Sequence, residues 1–168
     1  MATITLKGND IHTLGDLPAV GSATPDFTLT TTDLSTRSLS DFAGKKLVLN
    51  IFPNIETGIC AASVRQFNIE AAELENTTVL CISRDLPSVQ SDFCAAEGIA
   101  NVVMLSDKQE GTFGKAYGVE VTDSVLAGRL ARSVVVVGED GNVRYTEQVP
   151  EIAQEPNYKA ALEALMDA

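Results

Sequence analysis

The chain has 168 residues, of which 45% are apolar and 21% charged, and a net charge of −11. A chain of this length buries roughly 70% of its unfolded surface around one core, so a single domain over 1–168 is expected, with 1–17 as an N-terminal extension. The acidic balance argues against nucleic acid or an anionic membrane as partner, since both need a cationic face; with no signal-like start and no apolar run long enough to span a bilayer, a soluble, cytoplasmic protein is the expectation.

In chain order, Ile4 and Leu6, then Lys7-Gly8-Asn9-Asp10, then Ile11 and Leu14 suggest a small β-hairpin decorating the N-terminus. A loop rich in Pro, Gly and Ser leads to a strand from Phe27 and a turn over Leu39–Gly44. Lys46 to Phe52 is a nearly continuous apolar run ending at Pro53, as in a strand covered on both faces. From Thr57 the period changes: Cys60, Val64, Phe67, Ala71 and Leu74 recur at three and four residues, which predicts an amphipathic helix. A buried strand over Thr78–Ser83, a helix over Val89–Ala96, a strand over Asn101–Leu105 and a short helical stretch at Phe113–Tyr117 follow. Ser133–Val137 and Val143–Thr146 flank Glu139-Asp140-Gly141-Asn142, a hairpin signal. Glu155-Pro156 opens a last helix through Met166, with the proline acceptable in its first turn. The pattern predicts an α/β sandwich with a mixed central sheet flanked by helices.

Chemistry concentrates at Cys60. It stands at a strand-to-helix transition, where unpaired backbone N–H groups and the helix dipole favour an anion, and the thiolate is the nucleophilic form of cysteine. Thr57, three residues earlier, shares a face with Cys60 if the helical turn includes both; it also reads as a plain N-cap. Pro53 ends the strand's ladder bonding and can bend the chain over the helix start. Cys81, centred in a buried strand, reads as core packing, and the single histidine, His12, lies in the hairpin, far along the chain from Cys60. The three cysteines lack a short paired ligand motif, so no metal is expected.

The spacing Pro53-x-x-x-Thr57-x-x-Cys60 resembles the peroxidatic motif of the peroxiredoxins. The N-terminal hairpin, Pro25–Leu29, Asn50–Pro53, Cys81–Pro87, Phe93–Gly98 and Ala131–Val136 resemble the bacterial thiol peroxidase branch, an atypical two-cysteine group. The resemblance implies a thioredoxin-like fold and a peroxidase that reduces hydrogen peroxide and organic hydroperoxides without a cofactor. Cys60 would be the peroxidatic nucleophile, Thr57 would orient the peroxide, Pro53 would shield the sulfenic acid, and Arg132 would complete the pocket. Arg65 is a rival by proximity, but five helical residues turn it about 140° from Cys60, so a solvated arginine is expected there. Cys94 would resolve the sulfenic acid as an intrasubunit Cys60–Cys94 disulfide, recycled by thioredoxin in a homodimer. Two thiols each held in a helix rarely meet disulfide geometry without backbone movement, so local unwinding is expected. A thioredoxin-type oxidoreductase is disfavoured because Cys60 has no Cys-x-x-Cys partner; a redox-sensing adaptor using the same thiols is the other reading.

Overall fold

The computed structural model describes residues 2–166; Met1, Asp167 and Ala168, the ends of the expected domain, lie outside the described residues. Hairpin strands β1 (Thr3–Leu6) and β2 (Asn9–His12) pair antiparallel. Their turn is only Lys7-Gly8, at φ of 50° and 84°, a left-handed pair that matches the twist of a tight hairpin and is costless at glycine. Asn9 and Asp10, expected in the turn, belong to β2.

The main sheet contains β3 (Thr28–Thr31), β4 (Thr36–Ser38), β5 (Lys46–Ile51), β6 (Thr77–Ser83), β7 (Val103–Ser106), β8 (Ser133–Val137) and β9 (Val143–Gln148), in the order β4-β3-β7-β6-β5-β8-β9. β5, β6 and β7 run parallel, while the pairs β5–β8, β8–β9, β3–β7 and β3–β4 are antiparallel. The helices are α1 (Gly58–Ala71), α2 (Pro87–Glu97), α3 (Thr112–Ala116) and α4 (Tyr158–Met166). None of the described helices is long and apolar enough to cross a membrane.

The period of two in a strand sorts the core into two layers. Leu47, Leu49 and Ile51 of β5 join Leu80 and Ile82 of β6 and pack with Phe113 and Tyr117 on one face. Val48 joins Val79, Cys81, Val134 and Val136 on the other, under Val64 and Phe67 of α1 and Ala161 and Leu165 of α4. A third cluster, Ile4, Ile11, Val121, Ala131 and Ile152, fastens the hairpin. The expected mixed-sheet sandwich is therefore what the chain forms.

Other details also depart from expectation. Strand β4 was not anticipated, because three polar residues at a sheet edge, paired on one side only, leave no apolar alternation to read. α2 begins at Pro87 rather than Val89, with the proline at the position where its missing N–H costs nothing. Pro156 is not in the first turn of α4. That helix starts at Tyr158, and the Asn157 side-chain oxygen accepts the Ala160 N–H at 3.0 Å, a cap that proline cannot supply.

Candidate active site

β5 delivers the chain to Pro53, and the turn over 53–57 feeds it into α1, so Cys60 sits in the first turn of that helix. Cys60 is 1% exposed. A cavity of about 390 Å³ opens onto it, lined by Pro53, Thr57, Cys60 and Arg132 together with Ile59, Leu126, Ile152 and the hairpin-tip residues Leu6 and Lys7. Four of the five expected site residues thus share one cavity; Cys94 does not.

Arg132 lies just before β8 and is 2% exposed. Its Nε donates to the Ile152 carbonyl at 2.8 Å, its Nη2 to the Cys60 Sγ at 3.2 Å, and its Nη1 has no partner. Among the described residues it forms no ion pair with a carboxylate. A buried guanidinium without an anionic partner is costly, and the Cys60 sulfur is the side-chain atom that its Nη2 reaches.

Thr57 occupies the N-cap position of α1 in an extended conformation, but its hydroxyl makes no cap bond. It donates instead to the Asn54 carbonyl at 2.9 Å. The hydroxyl proton is therefore committed, which leaves the Thr57 oxygen with acceptor capacity only. Pro53 is buried, and its carbonyl accepts from Arg129 Nη1 at 3.3 Å.

Cys94, in α2, is half-buried and packs at the edge of the apolar cluster that holds Cys60 and Cys81. It opens onto a different cavity, lined by Thr31, Arg37, Ile99 and Met104 among others. All three cysteines are free thiols. Burial pushes the Cys94 thiol up. It pushes Cys81 up to about 12, only partly offset by the Asn50 amide 3.7 Å away, so that thiol packs as a protonated core group. Arg65 is exposed, paired with Glu97 and set over the Phe93 ring, as a solvated arginine should be. His12 pairs with Asp123 at 2.7 Å and does not line the Cys60 cavity.

The hairpin is more than decoration. Thr5 N–H donates to the Pro150 carbonyl and Ile152 N–H to the Thr5 carbonyl, both at 2.8 Å. The carbonyl of that same Ile152 holds Arg132. Glu151 seals the joint by accepting from Ala153 N–H at 2.7 Å, Gly8 N–H at 2.9 Å and Thr5 Oγ at 3.0 Å. These donors, the Ala153 amide first, hold the Glu151 carboxyl at about 2, against 4.5 ordinarily. Because the native value is the lower one, Glu151 contributes stability above about pH 4.5 that is lost as the pH falls towards 2. Amide protection at Gly8 and Ala153, measured against the intrinsic exchange rate at each pH, is expected to fall across that window in the natural chain, and Glu151→Gln is expected to remove this pH dependence.

Arg129, Leu6, Lys7 and Ile152 were not read from the sequence as neighbours of the cavity, nor was Asp85, whose Oδ2 accepts the Ile55 N–H at 2.8 Å behind the 53–57 turn. A charged pair, Arg84-Asp85, directly after a buried parallel strand was a readable signal for Asp85, since sites collect at such strand ends. Nothing in a lone Ile152 announces a carbonyl that holds an arginine.

Residues 19–162 match the Redoxin family. The chain is 57% identical over 165 residues to a protein named thiol peroxidase from Mycobacterium tuberculosis, covering 98% of this chain and 99% of that one. It is 54% identical over the same length and coverage to a thiol peroxidase from Corynebacterium glutamicum. The crystal structure of a peroxiredoxin-like protein from Aquifex aeolicus superimposes with a TM-score of 0.94 at 32% identity, covering 99% of this chain and 97% of that one.

Proposed function

The chain belongs to the redoxin family as a peroxiredoxin-type thiol peroxidase, and from that premise we propose that it reduces hydrogen peroxide and organic hydroperoxides through Cys60, resolves the product with Cys94 and is recycled by thioredoxin. The observation that carries this reading is the buried Arg132, which donates to the Cys60 sulfur at 3.2 Å and keeps a second N–H group unpaired beside the same cavity.

The hydroperoxide enters between Arg132 and Thr57. Its O–H donates to the Thr57 oxygen, whose own proton is held by Asn54, while its oxygens accept from Arg132. The thiolate attacks the terminal oxygen in line with the O–O bond. A Cys60–O bond forms, the O–O bond breaks, and the leaving oxygen takes the hydroperoxide's own proton to depart as water or an alcohol, leaving a sulfenate that a proton from solvent converts to the sulfenic acid. The fixed guanidinium donors stabilise the negative charge that develops on the leaving oxygen. Pro53 covers the sulfur side of the pocket, and the apolar walls from Leu6, Ile59, Leu126 and Ile152 suit an alkyl group as well as hydrogen peroxide.

Cys94 thiol then displaces water from the sulfenic acid to give the disulfide. Since the two cysteines line separate cavities, the first turn of α1 and the middle of α2 unwind to bring them together. Thioredoxin reduces that disulfide. The resemblance also implies a homodimer, working in the cytoplasm where this reductant is available.

The test is to add one equivalent of hydroperoxide to the reduced protein and map the product by mass spectrometry, then to follow NADPH oxidation with thioredoxin and its reductase. Loss of two hydrogens, mapped to the Cys60 and Cys94 peptides, with sustained turnover supports the proposal. A disulfide at another pair, or turnover with Cys60 alkylated, overturns it.

A further inference from the structure

Behind the turn that carries Pro53, Ile55 and Thr57 lies a carboxylate that the peroxidatic chemistry does not use. Asp85, 6% exposed, stands between β6 and α2, the helix of Cys94. Its Oδ2 accepts the Ile55 N–H at 2.8 Å and the Ser83 hydroxyl at 2.7 Å. Its Oδ1 is 3.5 Å from Arg129 Nη1, which also donates to the Pro53 carbonyl at 3.3 Å. The Ser83 oxygen in turn accepts from the Asp85 N–H at 3.3 Å and from Gln90 Nε2, on α2, at 3.1 Å. The Asp85 carbonyl accepts the Ser106 hydroxyl at 2.6 Å. One buried carboxylate therefore ties the chain entering the Cys60 helix to the chain entering the Cys94 helix.

This tie bears oppositely on the two chemical steps. Oxidation of Cys60 needs the 53–57 turn held in place, because that turn positions Pro53 and Thr57 over the sulfur. Resolution needs the same region to open, so that Cys94 reaches a sulfur now buried in a different cavity. Until it opens, a second hydroperoxide competes for the sulfenate: the sulfenate sulfur attacks its terminal oxygen, the O–O bond breaks, an alcohol or water leaves, and a sulfinate that Cys94 cannot resolve remains. The strength of the tie thus sets how long the sulfenic acid waits.

We propose that Asp85, with Arg129 as its outer clasp, is a positioning residue that holds the Cys60 turn closed for oxidation and must release Ile55 before Cys94 can resolve. The proposal rests on the roles of Cys60 and Cys94 given above.

The test compares the full-length protein with Asp85→Ala, Asp85→Asn and Arg129→Gln. Three quantities are read: the rate of Cys60 oxidation by one equivalent of hydroperoxide, the rate of disulfide formation that follows, and the hydroperoxide dose that converts half the protein to sulfinate. Hydrogen bonds to a charged group are strong enough that their loss in Asp85→Ala is expected to speed disulfide formation about 10-fold, with a matching rise in the sulfinate dose and no gain in oxidation rate. Asp85→Asn keeps an oxygen for the Ile55 N–H and falls between. Arg129→Gln changes a partly exposed side chain, leaves the buried bonds intact and moves the same quantities in the same direction by less; it decides the matter if Asp85→Ala does not fold. Disulfide formation unchanged or slowed in the folded variants overturns the proposal, because a merely structural residue slows both steps. If the unsubstituted protein forms no Cys60–Cys94 disulfide, the underlying reading fails first, and that result is visible without any variant.

Discussion

Cys60→Ser is expected to abolish hydroperoxide consumption, by roughly 10³-fold or more, as removal of a nucleophile does. The other two thiols do not substitute for it. Cys81 is fully buried and held at about 12, and Cys94 is pushed up by burial, with no cationic donor against its sulfur among the described residues. Among the described cysteines only Cys60 has a guanidinium at hydrogen-bond distance, and a cavity of about 390 Å³ lies beside it. The measurement is initial-rate consumption of hydrogen peroxide and of an alkyl hydroperoxide in the coupled thioredoxin assay. Cys94→Ser serves as the companion: it is expected to undergo one oxidation at an undiminished rate and then stop, with sulfenic acid trappable at Cys60. Full activity in Cys60→Ser would sink the assignment of the nucleophile and the mechanism with it.

Arg132→Met is expected to lower the rate of Cys60 oxidation by about 10²- to 10³-fold, the usual cost of losing a preorganised donor to a developing negative charge. Methionine fills much of the same volume without a charge, so the loss reports the N–H groups rather than a hole. Arg132→Lys is expected to recover only part of the rate. A single ammonium cannot hold the Ile152 carbonyl, the Cys60 sulfur and the substrate in the directions that a planar guanidinium fixes. Rapid-mixing kinetics with limiting peroxide isolate this step from resolution. Wild-type rates in a folded Arg132→Met protein would show that the thiolate needs no partner there.

How much of this was legible in the sequence depends on distance along the chain. The buried parallel strands announced themselves through runs such as Leu47 to Phe52, and α1 through its spacing from Cys60 to Ala71, because these signals lie within one element. Cys60 was readable at its strand-to-helix position, and Pro53 and Thr57 are close enough to it to form a motif. Arg132 came only through resemblance, since 72 residues separate it from the sulfur it touches. Asp85 and the hairpin's share of the cavity were not seen, because each acts through backbone groups: the Ile55 amide in one case, the Ile152 carbonyl in the other. Every non-proline residue carries those groups, so the letters at 55 and 152 hold no trace of which carbonyl or amide the fold will use.

The bond between Thr5 and the 150–152 segment joins residues near opposite ends of the sequence. A ribosome makes the first of them well before the second, and loop closure over such a span is among the slower events of folding. While the chain is being made, the sheet strands through β7 can assemble, yet the carbonyl that steers Arg132 does not exist. The emerging protein therefore carries Cys60 before Arg132 and the Ile152 carbonyl that holds it have been made, and the cavity beside Cys60 is completed only when the 150–152 segment joins the hairpin.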